Sequence, residues 1–329
     1  MKTRRHRMGL RRSGRSQRGF TLVELMVSLV MFSFAIAGVL AVAVSIANGF
    51  REQRVGVGAE TTVRAAMEFM GDAIRGASPG IETGLIINGV NGTCDTKTFE
   101  VTPRGDGTDE LTVTFAYGSV VTSLETTYTQ GSTSMSVASG AQFSPGDYLV
   151  VTDFSTAELL KVTSVTGNTL GVQASSCTVA LPWSAGSLVI RALRAKFFID
   201  DIDGTSKALW MDPEPDASDT DAEPLAEGIE DLQVAIGFDP NGNGVEENLA
   251  SKTTDEWYGN SPLDVLPPLG TAIRAVRVSL VAKALAPITG NQTPYIRPAL
   301  EDHPAGTADK FRRRVLTSVI EIRNLVGSQ

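Results

Sequence analysis

The residues with the most specific chemistry lie where a basic leader meets an apolar run. The leader, residues 1–19, carries eight cations and no acid, and the run that follows carries a single charge, Glu24. An unpaired charge at the centre of a bilayer costs about 2.5 to 3.5 kcal/mol, and less near an interface. Glu24 lies about one turn from the expected helix start, where the helix dipole favours a negative charge. Cleavage before Phe20 would create an α-amino group that is a natural counter-ion for this carboxylate.

The segment from Leu25 to Ala47 contains 23 residues without a charge. Because a helix rises ~1.5 Å per residue, roughly 20 residues cross a hydrocarbon core of ~30 Å. A secretory signal has only about 7 to 15 apolar residues, so we expect a retained transmembrane helix at about 20–48. Basic flanks stay in the cytoplasm, which predicts a cytoplasmic N-terminus and an exported head. An ordinary signal anchor with an accidental glutamate is the alternative.

Gly19, Phe20, the sequence GFTLVEL and the apolar helix resemble the class III signal of type IV pilins and pseudopilins. The resemblance implies that a prepilin peptidase cuts between Gly19 and Phe20 and that Phe20 becomes N-methylated. It implies an assembly role for Glu24, which would neutralise the amino terminus of a neighbouring subunit. It further implies an α+β pilin fold, in which the long N-terminal helix packs on an antiparallel β-sheet head.

Removal of the leader would make the chain strongly acidic. Eight of the 29 basic residues would be lost, leaving 21 against 37 acidic residues, a net charge near −16. Such a balance is opposite to that of a broad nucleic-acid-binding surface. We therefore expect no nucleic-acid partner.

Beyond the membrane segment, the apolar residues recur at spacings of four and three, as in an amphipathic helix: Val55, Ala59, Val63, Met67, Met70 and Ile74. Turn residues at 76–80 end this pattern. Short β-rich runs then predict an inserted β module at about 119–186. Longer runs predict the main sheet under the helix, with strands at 187–200, 229–238, 273–284 and 312–325. The expected organisation is a leader (1–19), a helix (20–79) and a head (80–329).

Four segments also resemble PilW-type minor pilins, which are related to the J-type pseudopilins of type II secretion: AAMEFMGDAIRGASPG, LAEGIEDLQVAIGFDPNGNG, AIRAVRVSLVAKA and RRRVLTSVIEIRN. The resemblance implies a low-copy subunit that helps to initiate pilus assembly in a tip complex. Its partners would be other minor and major pilins and a PilY1-like tip adhesin. The expected location is the bacterial inner membrane with a periplasmic head, and afterwards the extracellular pilus. Ala41, where major pilins of this family usually have proline, argues against a major subunit.

Two alternatives to the pilus role remain at this stage: a type II secretion pseudopilin of the J type, and a membrane-anchored periplasmic or surface binding protein. Catalysis has little support. The chain has two histidines, and a Ser/His/Asp triad would depend on His303, which the sequence predicts to be a surface loop residue. There is no P-loop, dinucleotide fingerprint or HExxH motif. We expect no enzyme activity and no cofactor.

Two further site predictions concern a disulfide and a calcium loop. Cys94 and Cys177 are the only cysteines, and export to an oxidising compartment favours a bridge over two buried thiols. Asp239, Asn241 and Asn243 match the first half of a calcium-binding loop. Ala250 stands where that loop needs a glutamate, so a plain Asn-Gly turn is the alternative. The acidic stretches at 200–204 and 212–223 share this ambiguity.

Overall fold

The computed structural model describes residues 19–77, 85–88, 96–173, 181–204, 206–213, 220–248, 255–259, 273–287 and 294–322. One long helix, α1 (Leu22–Arg75), precedes a large β-rich region whose strand pairs are antiparallel with one exception. The predicted α+β class is therefore confirmed. The chain divides into two compact units, Met1–Glu52 and Gln53–Gln329.

In the second unit, the part of α1 after Gln53 buries one face. Five residues of the predicted apolar stripe are buried: Ala59, Val63, Met67, Met70 and Ile74. On the exposed face, Glu60 and Arg64 form an ion pair with a distance of 2.9 Å between the carboxylate and guanidinium atoms. The helix ends at Arg75, four residues before the predicted boundary, because Ala77 already bridges to Phe115 of the sheet.

The strands of the described residues, in chain order, are β1 (Leu85–Asn88), β2 (Thr96–Lys97), β3 (Phe99–Pro103), β4 (Asp109–Ser123), β5 (Tyr128–Thr129), β6 (Ser134–Ser136), β7 (Tyr148–Thr152), β8 (Ala157–Thr166), β9 (Thr169–Val172), β10 (Pro182–Trp183), β11 (Leu188–Asp201), β12 (Lys207–Asp212), β13 (Glu223–Glu227), β14 (Ile229–Phe238), β15 (Trp257–Tyr258), β16 (Ile273–Lys283), β17 (Tyr295–Ile296), β18 (Ala308–Asp309) and β19 (Arg313–Glu321).

Most strands join one of two sheets. The larger has eleven strands with a main path β13-β12-β11-β7-β8-β1-β2, to which β3, β4, β6 and β9 are added; β4 pairs with β11 and β3. The smaller has the order β15-β14-β16-β19. β16 alternates exposed and buried positions only at its start and is then buried from Val278 to Ala282. Its central position in the sheet, between β14 and β19, explains this burial.

The helix and both sheets share one hydrophobic core. It contains Met70 and Ile74 of α1, Phe197 of β11, Val234 of β14 and Val278 of β16. Phe69 contacts the edge of the Phe197 ring, with centroids 6.2 Å apart.

The prediction of a single main sheet is wrong in one respect. Strands β14, β16 and β19 belong to the small sheet, whereas β11 is a central strand of the large sheet. Strand pairings between distant segments decide this, and no local pattern in β11 shows them.

A second hydrophobic cluster lies between residues 124 and 189, within and just beyond the predicted inserted module. Tyr128 and Trp183 stack at its centre, with ring centroids 6.0 Å apart. Burial and the nearby Glu158 carboxylate raise the pKa of the Tyr128 phenol above its ordinary value. Strand β11 contributes Val189 to this cluster and Phe197 to the core under the helix.

Candidate functional site

The junction predicted to carry the chemistry forms the start of α1. Thr21 precedes the first helical residue, and its hydroxyl accepts a hydrogen bond from the Glu24 backbone N–H at 3.2 Å. The Glu24 carboxylate in turn accepts bonds from the Thr21 backbone N–H at 3.0 Å and from the Thr21 hydroxyl at 3.1 Å. This reciprocal arrangement is a capping box, which satisfies two backbone donors that the helix itself leaves free. Gly19 and Phe20 lie just outside the helix, and Phe20 is 84% exposed.

The segment from Leu22 to Phe50 has the length and composition of a membrane span. Its mean hydropathy reaches 2.6, and none of it is buried within the protein. Within the span, the Ser33 hydroxyl donates to the Leu29 carbonyl at 2.8 Å. An apolar helix that buries nothing within its own chain calls for a membrane or other helices as its environment.

A second candidate site is a buried polar cluster centred on Asp231. Asp231 of β14 is fully buried, and its carboxylate accepts a hydrogen bond from Arg297 at 2.6 Å. His303 Nδ1 donates to the same carboxylate, 3.0 Å from each oxygen. Gln233 donates to Asp231 at 3.0 Å and to the Gly107 carbonyl at 2.8 Å. The cluster therefore joins β14 to the β3–β4 turn and to the loop between β17 and β18.

Asp109 adds a second buried carboxylate close by. It accepts a hydrogen bond from the Val234 backbone N–H at 2.8 Å. Burial, with smaller contributions from the negative charges of Asp302, Asp231 and Glu301, raises the pKa of Asp109 to about 7. The hydrogen bond from the Val234 N–H lowers the pKa of Asp109, but burial has the larger effect.

The prediction that His303 is a surface loop residue is wrong. Its side chain is 13% exposed and is fixed by Asp231. The second ring nitrogen, Nε2, faces the β3–β4 turn, where a Cβ atom added to Gly107 would lie only 2.5 Å from it. The Gly107 backbone therefore packs closely against this side of the ring. A cavity of about 590 Å³ next to the cluster is lined by ion-paired side chains such as Lys207 with Asp106.

The predicted calcium loop forms a set of local turns. Asp239 accepts from the Gly242 N–H at 2.7 Å, and Asn241 accepts from the Asn243 N–H at 3.0 Å. Asn243 donates to Glu246 at 3.0 Å. The side-chain oxygens of Asp239 and Asn241 are therefore engaged by the backbone, as in Asx turns. Within the described residues, no group of three or more His, Cys, Asp or Glu side chains is placed to hold a metal ion.

The predicted disulfide and the leader lie outside the described residues. This holds for Cys94, for Cys177 and for residues 1–18.

Comparison with protein families bears on both ends of the chain. The prokaryotic N-terminal methylation motif matches residues 14–45, and a family described as Type IV Pilus-assembly protein W, PilW, matches residues 196–324. The chain therefore carries a prepilin methylation motif and a PilW-type region. Among curated proteins, none matches it. The PilW-matching region covers β12 to β19 and most of the Asp231 cluster, whereas the methylation motif covers Gly19, Phe20 and Glu24.

These two matches support a minor-pilin role in a type IV pilus, with pilins as partners and with an anchor in a membrane. Sequence reasoning missed two parts of its polar architecture. Thr21 had a recognisable signal, since a threonine three residues before a glutamate and next to an apolar run predicts a capping box. The Asp231 cluster had none, because Arg297 and His303 are 66 and 72 residues away along the chain.

Proposed function

We propose that this chain is a minor pilin that is cut by a prepilin peptidase between Gly19 and Phe20 and then helps to initiate a type IV pilus at its tip. The observation that carries the proposal is the exposed apolar helix that begins at a prepilin signal and leads into a PilW-type head. Phe20 becomes the N-methylated first residue. The head lies in the periplasm before assembly and outside the cell afterwards.

Glu24 is the assembly residue in this proposal. Its carboxylate caps its own helix in the single chain, with Thr21 as its partner. In the pilus it pairs with the amino group of a neighbouring subunit, so that no uncompensated charge stays in the apolar helix bundle.

Two variants of Glu24 separate the capping role from the charge. Glu24→Gln keeps a carbonyl oxygen that can accept from the Thr21 N–H, whereas Glu24→Ala removes both the cap and the charge. We expect both variants to be cleaved after Gly19 but to be depleted from sheared pili by about tenfold or more, as expected when a charge pair in an apolar environment loses one partner. Immunoblots of the membrane and pilus fractions measure this. Normal incorporation of Glu24→Gln would show that capping, and not charge pairing, is what Glu24 supplies.

The pilin fold, with residues 119–186 as an inserted β module, belongs to the same proposal. It is supported by the helix that packs on two sheets and by the separate hydrophobic cluster between residues 124 and 189. The expected boundaries remain 1–19, 20–79 and 80–329. The module is the part that we expect to differ most from other minor pilins, and a PilY1-like adhesin is the proposed tip partner.

The remaining proposals concern chemistry outside assembly. We propose no enzyme activity and no cofactor, since His303 Nε2 faces the Gly107 backbone. Cys94 and Cys177 are proposed to form a disulfide; peptide mapping that finds both thiols free would refute it. Calcium binding at Asp239, Asn241 and Asn243 would require these side chains to give up turn hydrogen bonds. A calorimetric titration of the head without heat at millimolar calcium would remove that proposal.

A further inference from the structure

Among the described strands, β19 lies at the edge of the small sheet and pairs only with β16. It pairs with β16 along its whole length, from Arg313 opposite Lys283 to Glu321 opposite Ala275. Backbone bonds from Ala284 to Arg312 and from Ile322 to Arg274 extend this ladder at both ends. Because bonded pairs alternate along an antiparallel ladder, even-numbered residues of β19 bond to β16 and odd-numbered residues direct their N–H and C=O groups outward.

The outward backbone groups belong to Val315, Thr317 and Val319. In the part of the chain that the structure describes, no backbone hydrogen bond reaches them from the outer side. The edge strand of the large sheet, β13, is protected differently: it has five residues, of which Pro224 lacks an N–H and two are glutamates. Short length, proline and charge are the usual means of preventing a foreign strand from adding to an edge.

β19 has none of these protections in its centre. It has nine residues, and its central sequence from Val315 to Ile320 contains no charge and no proline. Val315 is 42% exposed and Val319 is 54% exposed on the face away from the helix. A long, exposed and apolar edge of this kind is a template for strand pairing.

A cavity adjoins the end of this edge. Its volume is about 450 Å³, and its apolar lining comes from Val245, Trp257, Ala275, Val319 and Ile322. Charged residues of its lining are Asp239, Arg274 and Glu321. Arg274 lies 3.9 Å from Asp239, and Glu321 has no ion pair among the described residues. The lining of the cavity is therefore apolar in part and carries a net negative charge, which comes from Glu321.

We propose that the outer edge of β19 binds an extended segment of another pilus subunit by β-strand addition. Backbone hydrogen bonds to Val315, Thr317 and Val319 hold the segment. One large apolar side chain of the segment enters the cavity beside Val319, and a lysine or arginine next to it pairs with Glu321. In strand addition, backbone bonds supply affinity and a side-chain pocket supplies specificity. The identity of the partner as a pilus subunit rests on the proposed function. The existence of the edge and of the cavity is independent of that function.

A second copy of the chain fits the edge less well. Antiparallel self-pairing about Thr317 would place Arg313 opposite Glu321 of the other copy. Arg313 is already bound by Glu230 and Asp309 and is only 8% exposed. A partner strand with its own cation satisfies Glu321 without breaking these pairs.

Thr317 allows a test that spares the fold. Thr317→Pro removes the outward N–H but no bond to β16, and proline is tolerated on edge strands. Thr317→Ala is the matched control, because both variants lose the hydroxyl contact with Ser279 at 2.9 Å. With the photo-reactive residue benzoylphenylalanine in place of Val319, we expect the full chain in piliated cells to cross-link to one segment of another pilus subunit. Thr317→Pro should reduce the adduct by about fivefold, as for one lost backbone hydrogen bond, and Thr317→Ala should not.

Amide exchange of the full chain in detergent tests the free edge directly. We expect the amides of Val315, Thr317 and Val319 to exchange fast while those of Leu316, Ser318 and Ile320 exchange slowly. The proposal would be overturned if the amides of Val315, Thr317 and Val319 were protected in the free chain and lost this protection when the chain was truncated after Ile322. That result would show that the chain's own end covers the edge. An adduct between two copies, or an adduct that Thr317→Pro leaves unchanged, would also overturn it. If the chain enters pili but gives no adduct, this inference fails and the proposed function stands; absence from pili contradicts the proposed function instead.

Discussion

At the residue scale, the Glu24 carboxylate caps its own helix, and the proposed function gives it a second role in assembly. In the chain it accepts two hydrogen bonds from Thr21 and completes the start of α1. A capping carboxylate at this position also interacts favourably with the helix dipole. Phe20, whose amino group would be free after cleavage, directly precedes Thr21 in the chain. The cost of an acid in an apolar helix is thereby kept low before a partner arrives.

Asp109 predicts a pH dependence of stability. Because its pKa is raised from 3.8 to about 7 in the folded protein, the folded chain keeps a proton that the unfolded chain releases near pH 4. The stability supplied by this proton is complete below about pH 4 and is lost as the pH rises through about 7. Between pH 5 and pH 8, we expect this residue to reduce the free energy of unfolding by roughly 2 kcal/mol.

Asp109→Asn tests this dependence, because the amide oxygen can still accept from the Val234 N–H while the side chain no longer titrates. Chemical denaturation of the full-length chain in detergent at both pH values measures it. The variant should lose less stability than the wild type between pH 5 and pH 8. An equal loss in both proteins would show that Asp109 is ionised throughout.

Gly107 predicts a steric effect on the Asp231 cluster. It has a positive φ of 87°, and an added Cβ would lie 2.5 Å from His303 Nε2. Gly107→Ala should therefore lower the free energy of unfolding by about 1 to 3 kcal/mol. Gly105→Ala in the same turn meets no atom within 4 Å and should have little effect. Denaturation curves that coincide for the two variants would mean that His303 moves without cost.

At the element scale, the sequence predicted most strands and the helix but not their partners. The period of α1 identified five buried residues correctly, and β14 begins and ends where its apolar pattern does. The position of β11 in the large sheet depends on pairing with β4, β7 and β12, which are contacts between distant segments. Local hydrophobic patterns in the sequence do not indicate which distant strands pair. For the same reason the Gly19–Glu24 junction was readable from sequence, whereas Asp231, Arg297 and His303 were not.

Two valines of α1 test the assignment of its faces. Val63 is 2% exposed in the core, and Val57 is 62% exposed. Val63→Ala should lower the free energy of unfolding by about 1 to 3 kcal/mol through lost burial and a cavity. Val57→Ala gains the same helix propensity but loses no packing within the chain, so it is the matched control. Thermal unfolding of both variants in detergent checks this, and equal midpoints would contradict the assigned faces.

At the scale of the whole molecule, the chain combines an assembly helix with a head that has its own core. Among the described residues, the apolar part of α1 is unburied, whereas its later turns are part of the core shared by both sheets. Stability and assembly should therefore respond to different substitutions. Core and cluster variants such as Val63→Ala act on the fold, Glu24 variants act on incorporation, and Thr317→Pro acts on a contact with a neighbour.

The most direct test of the central claim is the mass of the N-terminal peptide of this chain, recovered from sheared and washed pili. We predict that the peptide starts at Phe20 and carries one methyl group on its amino nitrogen. We also expect the chain to be present in the pilus fraction in a small amount relative to the major subunit. A peptide that retains residues of the leader, or a chain that is found in membranes and never in pili, would contradict it.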